Sequence, residues 1–289
     1  MRGADDGMSM APGHIEPLAR PKRHGVAPSE PRRQRAKRGA IGPFHEGQYI
    51  EPMALTFGSL RAATPTALPG LCVVCHDWSR RSPCELCLQR FAPLRPRCAT
   101  CARTMPLAVP RCGECMRQMS AFERCVTGAD YAAPWDELIA GFKFHRKTEL
   151  AAVLCELLWR SVDAAGTAPR PELLVPVPLS HERLRERGYN QAWELARRLA
   201  RRLRLPARAN VLQRSRDTRH QIGMSRVERE HNLRDAFWIE PAQRVRLQGA
   251  HVALIDDVLT TGATAHAAAL ALTRAGAARV DVWVVARTP

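Results

Sequence analysis

Two groups of residues in this chain have the type and spacing to do chemistry. The first is a run of four C-x-x-C pairs, Cys72/Cys75, Cys84/Cys87, Cys98/Cys101 and Cys112/Cys115, within residues 72–115. A C-x-x-C turn holds two thiolates one metal's bite apart, and two such turns complete a closed tetrahedral Cys₄ site for Zn²⁺. Loops of eight residues (76–83) and ten (102–111) separate the members of pairs one/two and three/four. Sequential assignment therefore gives two zinc ribbons side by side, on Cys72, Cys75, Cys84 and Cys87 and on Cys98, Cys101, Cys112 and Cys115. An interleaved, RING-like assignment, joining the first pair with the third and the second with the fourth, satisfies the same count. Eight thiolates fill both sites and leave no position for a reactive water, so the expected role of the metal is structural. His76, directly after Cys75, is read as a bystander. Cys125 and Cys155 are unpaired, and Cys155 falls in the apolar stretch 150–159 as a core residue.

The second group is His251 to Thr264, HVALIDDVLTTGAT. Val252 to Ile255 read as a buried strand, Asp256 and Asp257 as its tip, and Thr260-Thr261-Gly262-Ala263-Thr264 as a turn. That turn enters an alanine-rich helix, 265–275, stopped by Gly276. N–H groups at a helix start, backed by the helix dipole, bind a phosphate dianion. Gly262 admits close approach of backbone, and the three threonines add hydroxyl donors. Carboxylates repel phosphate, so Asp256 and Asp257 suit vicinal hydroxyls or Mg²⁺. Phosphate on one side and a diol on the other describe a 5-phosphoribose. The segment resembles the phosphoribosyl-diphosphate loop of type I phosphoribosyltransferases. That resemblance implies that Asp256 and Asp257 grip the ribose, with the acids as the catalytic carboxylates, and that Thr260, Thr261, Gly262, Ala263 and Thr264 hold the 5-phosphate.

The elements that must position these groups follow from period and punctuation. Leu173 to Pro178 reads as a strand running out into a loop, which carries Arg183, Arg185, Arg187, Gly188, Asn190 and Gln191. This basic loop would face the same crevice as the phosphate turn, because ligands of parallel sheets sit beyond the strand C-termini; diphosphate is what it would bind. Ala192, Leu195, Ala196, Leu199 and Leu203 then share one helical face. The polar stretch 214–224 is read as a loop that closes over substrate, Ser225 and Glu228 as a capping box for a helical turn, and 232–237 as the lead into another strand.

The 289 residues carry 44 Lys+Arg against 28 Asp+Glu, a net charge of +16, with 45% hydrophobic residues. These values exclude a wholly disordered or collagen-like chain. No apolar stretch approaches the roughly 20 residues of a membrane span, and residues 1–10 lack a secretory h-region, so a cytoplasmic protein is expected. Only Lys22, Lys37, Lys143 and Lys147 are lysines. The surplus is read first as arginines on solvated faces, and second as attraction for an anionic partner. Residues 1–62, rich in Pro, Gly, Arg and Ala, are expected to be a disordered basic extension, within which Met53 is read as an alternative start. Residues 63–120 would form the double ribbon and 121–289 an α/β domain with a parallel sheet flanked by helices.

Taken in order, VPVPxxxxRxRxRGYNQ, RxxxTxxQxxxSxxER, NLxxAF and the DDVLTTGAT turn resemble the ComF (GntX-like) family of competence proteins over roughly 70–289. Gly141 to His145 and the cysteine pairs match as well; Ala102 stands where a glycine is common in such knuckles. The resemblance implies a type I phosphoribosyltransferase-like domain behind a double zinc ribbon, acting in natural transformation on internalised single-stranded DNA, with other competence proteins as partners. It also implies 5-phosphoribosyl 1-diphosphate or a nucleotide as ligand, Mg²⁺ accompanying the diphosphate, and Arg185 and Arg187 neutralising it. Three readings of the activity stay open: pentosyl transfer to an unnamed acceptor, nucleic-acid handling without turnover, and a sensor of free phosphoribosyl diphosphate.

Overall fold

The computed structural model describes residues 69–166, 169–214 and 236–289. The basic extension 1–62, the closing loop and capping box of 215–228, and Asn232 to Asp235 lie outside the described residues.

The larger body is a four-stranded parallel sheet in the order β3–β8–β7–β4. Its strands are β3 (Arg124–Asp130), β4 (Leu173–Pro176), β7 (His251–Leu259) and β8 (Arg279–Arg287). The central pair is apolar along nearly its full length, as a strand covered on both faces must be. Helices α3 (Trp135–Phe144), α4 (Leu150–Ala164) and α6 (Gln191–Leu203) cover one face, where Ile139, Leu154, Leu158, Leu195 and Leu199 meet Ala253, Ile255 and Trp283. Helix α7 (Ala263–Arg274) covers the other with the short pair β5 (Leu212–Arg214) and β6 (Phe237–Ile239). Cys155 is buried in α4, and α6 presents Ala192, Leu195, Ala196 and Leu199 inward. Gly276, at φ +111°, ends the α7 turn; a Cβ there would meet the Gln248 side chain at 2.4 Å. The strand, helix and stop expected between 251 and 276 are present.

The cysteine module sits against the rim of this sheet. Strands β1 (Gly70–Leu71) and β2 (Trp78–Ser79) with α1 (Glu85–Phe91) build its first half, and α2 (Gly113–Arg117) closes the second. Leu88 and Ala92 join the core on one face of the sheet, and Ala102 joins the core on the other. The Trp135 indole N–H donates to the Phe91 carbonyl (2.8 Å), Arg287 donates to the Cys101 carbonyl (3.0 Å), and Arg97 pairs with Asp130 at 2.7 Å.

His76 and Ala102, each next after a C-x-x-C pair, have φ of +61° and +57°. Only glycine takes that backbone without steric cost, which explains why glycine is favoured there. His76 is exposed, so replacing it with Gly removes strain and loses no packing. His76→Gly should raise the denaturation free energy of the metal-loaded protein by up to about 1 kcal/mol, offset in part by glycine's greater freedom when unfolded; a loss in chemical melts would contradict the strain argument.

Candidate functional site

The cleft opens where β4 and β7 part. The two strands pair from Leu173↔Val252 to Pro176↔Ile255, and the Val177 N–H makes a last bond to the Ile255 carbonyl at 2.9 Å. Proline-punctuated chain then leaves the sheet while β7 continues beside β8 to Leu259. The long helix that follows β4, α6, and the helix that follows β7, α7, lie on opposite faces, so this is a topological switch point, where open α/β sheets hold their ligands.

Asp256 and Asp257 occupy the open edge. They lie within β7, not at its tip as expected, because β8 supplies pairing partners as far as Arg287. Strand alternation sends neighbouring side chains to opposite faces. Asp257 continues the Ala253/Ile255 side and meets Lys143 of α3, Nζ to Oδ1 at 2.7 Å, with Asp257 only 6% exposed and Lys143 19%. Its Oδ2 is buried with no partner. Asp256 Oδ1 accepts the Asp257 N–H at 2.8 Å. Burial, then the adjacent Asp257 charge, pushes Asp256 up to about 7, against the pull of Lys143 and Arg214.

Thr260 and Thr261 are exposed on the turn, and Gly262 takes φ +84° as N-cap of α7. The Thr261 hydroxyl accepts the Ala263 N–H at 3.3 Å, while Thr264, half a turn into the helix, faces the cleft. Across the gap, the expected basic loop is a helix, α5 (His181–Arg187). Ser180 caps it by accepting the Arg183 N–H, and Gly188, at φ +80°, ends it; the residues between are good helix formers. Arg183 and Arg187, four apart, therefore share the side that lines the cleft. Arg185, two residues off that register, is exposed away from the lining, and so is the stop residue Gly188. Asn190 lines the cleft, but its side chain is committed to α6: Oδ1 accepts from the Ala192 and Trp193 N–H groups and Nδ2 donates to the Val177 carbonyl. Gln191 is buried beside it, with Oε1 lacking a partner. The cavity so enclosed is about 120 Å³.

Lys143 is the residue to which sequence reasoning assigned no role. The available signal was its being a lysine at all, in a chain whose basic residues are otherwise almost all arginine. Tyr189, in the same motif as Asn190, donates its hydroxyl to the Phe142 carbonyl and packs its ring 5.6 Å from Phe142, tying the end of α5 to the helix that carries Lys143.

The cysteines cluster sequentially, Cys72, Cys75, Cys84 and Cys87 in one set and Cys98, Cys101, Cys112 and Cys115 in the other, which decides against the interleaved assignment. The sulfur–sulfur distances are 3.9 Å (Cys72–Cys87), 3.7 Å (Cys75–Cys84), 4.0 Å (Cys98–Cys115) and 3.7 Å (Cys101–Cys112). A tetrahedron with metal–sulfur bonds of about 2.3 Å spaces its sulfurs about 3.8 Å apart, so both sets have room for one ion. Burial raises the Cys72 thiol, but N–H groups of Cys75, Cys84 and Val74 outweigh it and bring the thiol to about 6. Cys112 reaches about 7 by the same balance, with Cys115 as the main donor. His76 belongs to neither set. Among the described residues no other three Cys, His, Asp or Glu side chains gather closely enough to hold a metal, and no helix is long and apolar enough to cross a membrane.

No family model matches the chain. It is 36% identical over 230 residues to the DNA utilization protein YhgH of Escherichia coli K12, covering 76% of this chain and 98% of that one. It is also 36% identical over 173 residues to competence protein F of Haemophilus influenzae, 59% of this chain and 75% of the relative. Among solved structures, the glutamine phosphoribosylpyrophosphate amidotransferase of Bacillus subtilis aligns over 45% of this chain and 25% of its own, with 23% identity and a TM-score of 0.31. With YhgH matched almost end to end, competence protein F matched over three quarters of its length, and two cysteine sets followed by a parallel sheet, the chain belongs to the ComF (GntX-like) family of competence proteins.

Proposed function

We propose that the cleft binds the 5-phosphoribosyl group of 5-phosphoribosyl 1-diphosphate or a related nucleotide, and that the protein serves DNA uptake in natural transformation. One observation carries the binding step: two carboxylates and the N-terminus of α7 share one side of a cleft whose other side presents Arg183 and Arg187. The first turn of α7, with Thr260, Thr261 and Thr264, takes the 5-phosphate. The unpartnered Oδ2 of Asp257 is an acceptor in need of a donor, which a ribose hydroxyl supplies, and Asp256 stands beside it for the second hydroxyl. Arg183 and Arg187 neutralise diphosphate. Mg²⁺ would arrive on the diphosphate oxygens, since one carboxylate is held by Lys143 and the other is raised toward neutrality. The cysteine sets hold one Zn²⁺ each, and that metal supplies structure, not reactivity.

The names of the relatives, DNA utilization and competence proteins, support the cellular role. Calorimetric titration with phosphoribosyl diphosphate in Mg²⁺ tests the site. The wild-type protein should bind and the double variant Asp256→Asn/Asp257→Asn should not; undiminished binding would sink the assignment. Diphosphate release in the presence of bases and oligonucleotides separates turnover from sensing, because both readings share the binding step.

A further inference from the structure

Thr260 and Thr261 are exposed, so the shape of their turn depends on what holds the chain on either side of it. On the near side, the Leu259 carbonyl ends β7 and accepts from the Thr288 N–H at 3.1 Å and from Arg287 Nη1 at 3.3 Å. Arg287 is buried, and its Nε donates to the Cys101 carbonyl at 3.0 Å. One guanidinium thus bridges the backbone of a cysteine in the second set to the backbone just before the turn. A buried cation is costly to leave short of an acceptor, so the bridge is stiff. On the far side, His266 lies four residues past Gly262, at the end of the first turn of α7. Its Nδ1 accepts the Ala121 N–H at 3.1 Å, from the segment that leaves α2. Ala102, next after Cys101, is buried in the same cluster as Leu259 and Ala265. The first cysteine set reaches elsewhere: the Phe91 and Ala92 carbonyls at the end of its α1 accept from Trp135, at the start of α3, and from Arg160 of α4.

We infer that metal occupancy of the second cysteine set controls the affinity of the phosphate turn, with Arg287 and His266 as the positioning residues that carry the control. The two-state element is the set itself, whose interior is largely its own cysteines, so that it is ordered only when its sulfurs share an ion. Ordered, it fixes the Cys101 carbonyl and the backbone at Ala121, and through them both ends of the turn. Disordered, it leaves Arg287 short of an acceptor and releases the start of α7. A turn that must then be ordered at the moment of binding holds phosphate less tightly than one already in shape. Linkage makes the effect reciprocal: ligand on the turn tightens the metal by the same factor. The ligand side of this coupling rests on the phosphoribosyl reading; the control of backbone order does not.

The test compares Cys101→Ser, in the second set, with Cys75→Ser, in the first, in the full-length zinc-loaded protein. In calorimetric titration with phosphoribosyl diphosphate and Mg²⁺, Cys101→Ser should bind about tenfold more weakly and Cys75→Ser should change by less than about twofold. Hydrogen exchange should quicken at the amides of 260–264 in Cys101→Ser and not in Cys75→Ser. His266→Ala should reproduce the weaker binding with its zinc content intact, and His266→Asn, whose side-chain oxygen can stand in for Nδ1, should restore it. In the wild-type protein, competition with a chelator should show one zinc site tightened about tenfold by saturating phosphoribosyl diphosphate. Equal weakening by the two cysteine variants, unchanged exchange at 260–264 in Cys101→Ser, or zinc affinities indifferent to the ligand would each overturn the inference. If Cys101→Ser does not fold, His266→Ala and the zinc competition decide the matter with every cysteine in place. If the wild-type protein does not bind phosphoribosyl diphosphate, the phosphoribosyl reading falls, and the exchange at 260–264 still decides this one.

Discussion

Stripping metal from the protein with a strong chelator at pH 7 should unfold residues 69–118 and release two zinc ions per chain. The reason is that this module has almost no core of its own. The cluster interior to its second half is Cys98, Cys112 and Cys115 with Cys101, Met105 and Val109 around them, so the cysteine sulfurs are also that interior. Structural zinc contributes on the order of 10–16 kcal/mol of apparent binding free energy in small peptides, far above what such a cluster supplies by burial. Trp135 reports the event, since its indole N–H bonds to Phe91 of the module and its ring is fully buried. Chelation should shift tryptophan emission to the red and lower the melting temperature. Cys98→Ser, at a fully buried ligand, should do the same without chelator, and more severely than Cys75→Ser at the exposed one. A metal content of one per chain, or a melting curve indifferent to chelation, would show that at least one cysteine set is not a metal site.

The two adjacent aspartates should move stability in opposite directions although both are proposed to serve binding. Asp256 has a folded-state pKa of about 7, above its unfolded value, because burial and Asp257 disfavour its charge. The sign follows by linkage: the penalty is absent below about pH 4, grows as pH rises toward 7, and stays constant above it. Asp256→Asn, which can still accept the Asp257 N–H, should therefore stabilise the ligand-free protein at pH 8 by about 2 kcal/mol and leave it little changed at pH 4. Asp257→Asn instead strands Lys143, which is largely buried against it, and should cost about 3 kcal/mol. Thermal melts of the two variants at pH 4 and pH 8 check this directly. Equal destabilisation by both would mean that Asp256 is comfortably ionised and that this end of β7 stores no electrostatic strain.

The parts legible in the sequence were those fixed by local spacing. The four C-x-x-C pairs, the α7 helix with its stop at Gly276, the inward face of α6 and the core position of Cys155 all depend on residues near one another in the chain. What escaped was set by distant partners. Val258 and Leu259 prolong β7 because Ala286 and Arg287 lie alongside, which moves both aspartates from the strand's tip into its interior. Lys143 meets Asp257 across more than a hundred residues, a contact no periodicity reports. Arg185 was grouped with Arg183 and Arg187 because a loop imposes no faces; once Ser180 and Gly188 cap a helix, the 3.6-residue period sorts them. Asn190 has the right place for a ligand contact, but its amide is consumed by capping.

In the order β3–β8–β7–β4, both outer strands would offer unsatisfied backbone to any passing chain. On one flank, Leu174 exchanges bonds with Pro206 and Arg208; on the other, the Cys125 N–H is taken by Ala99, inside the second cysteine set. The cysteine module thus doubles as a guard rail. Loss of the zinc proposed for its cysteines would uncover a strand primed for intermolecular pairing, turning a shortage of a trace element into clumping of the whole protein.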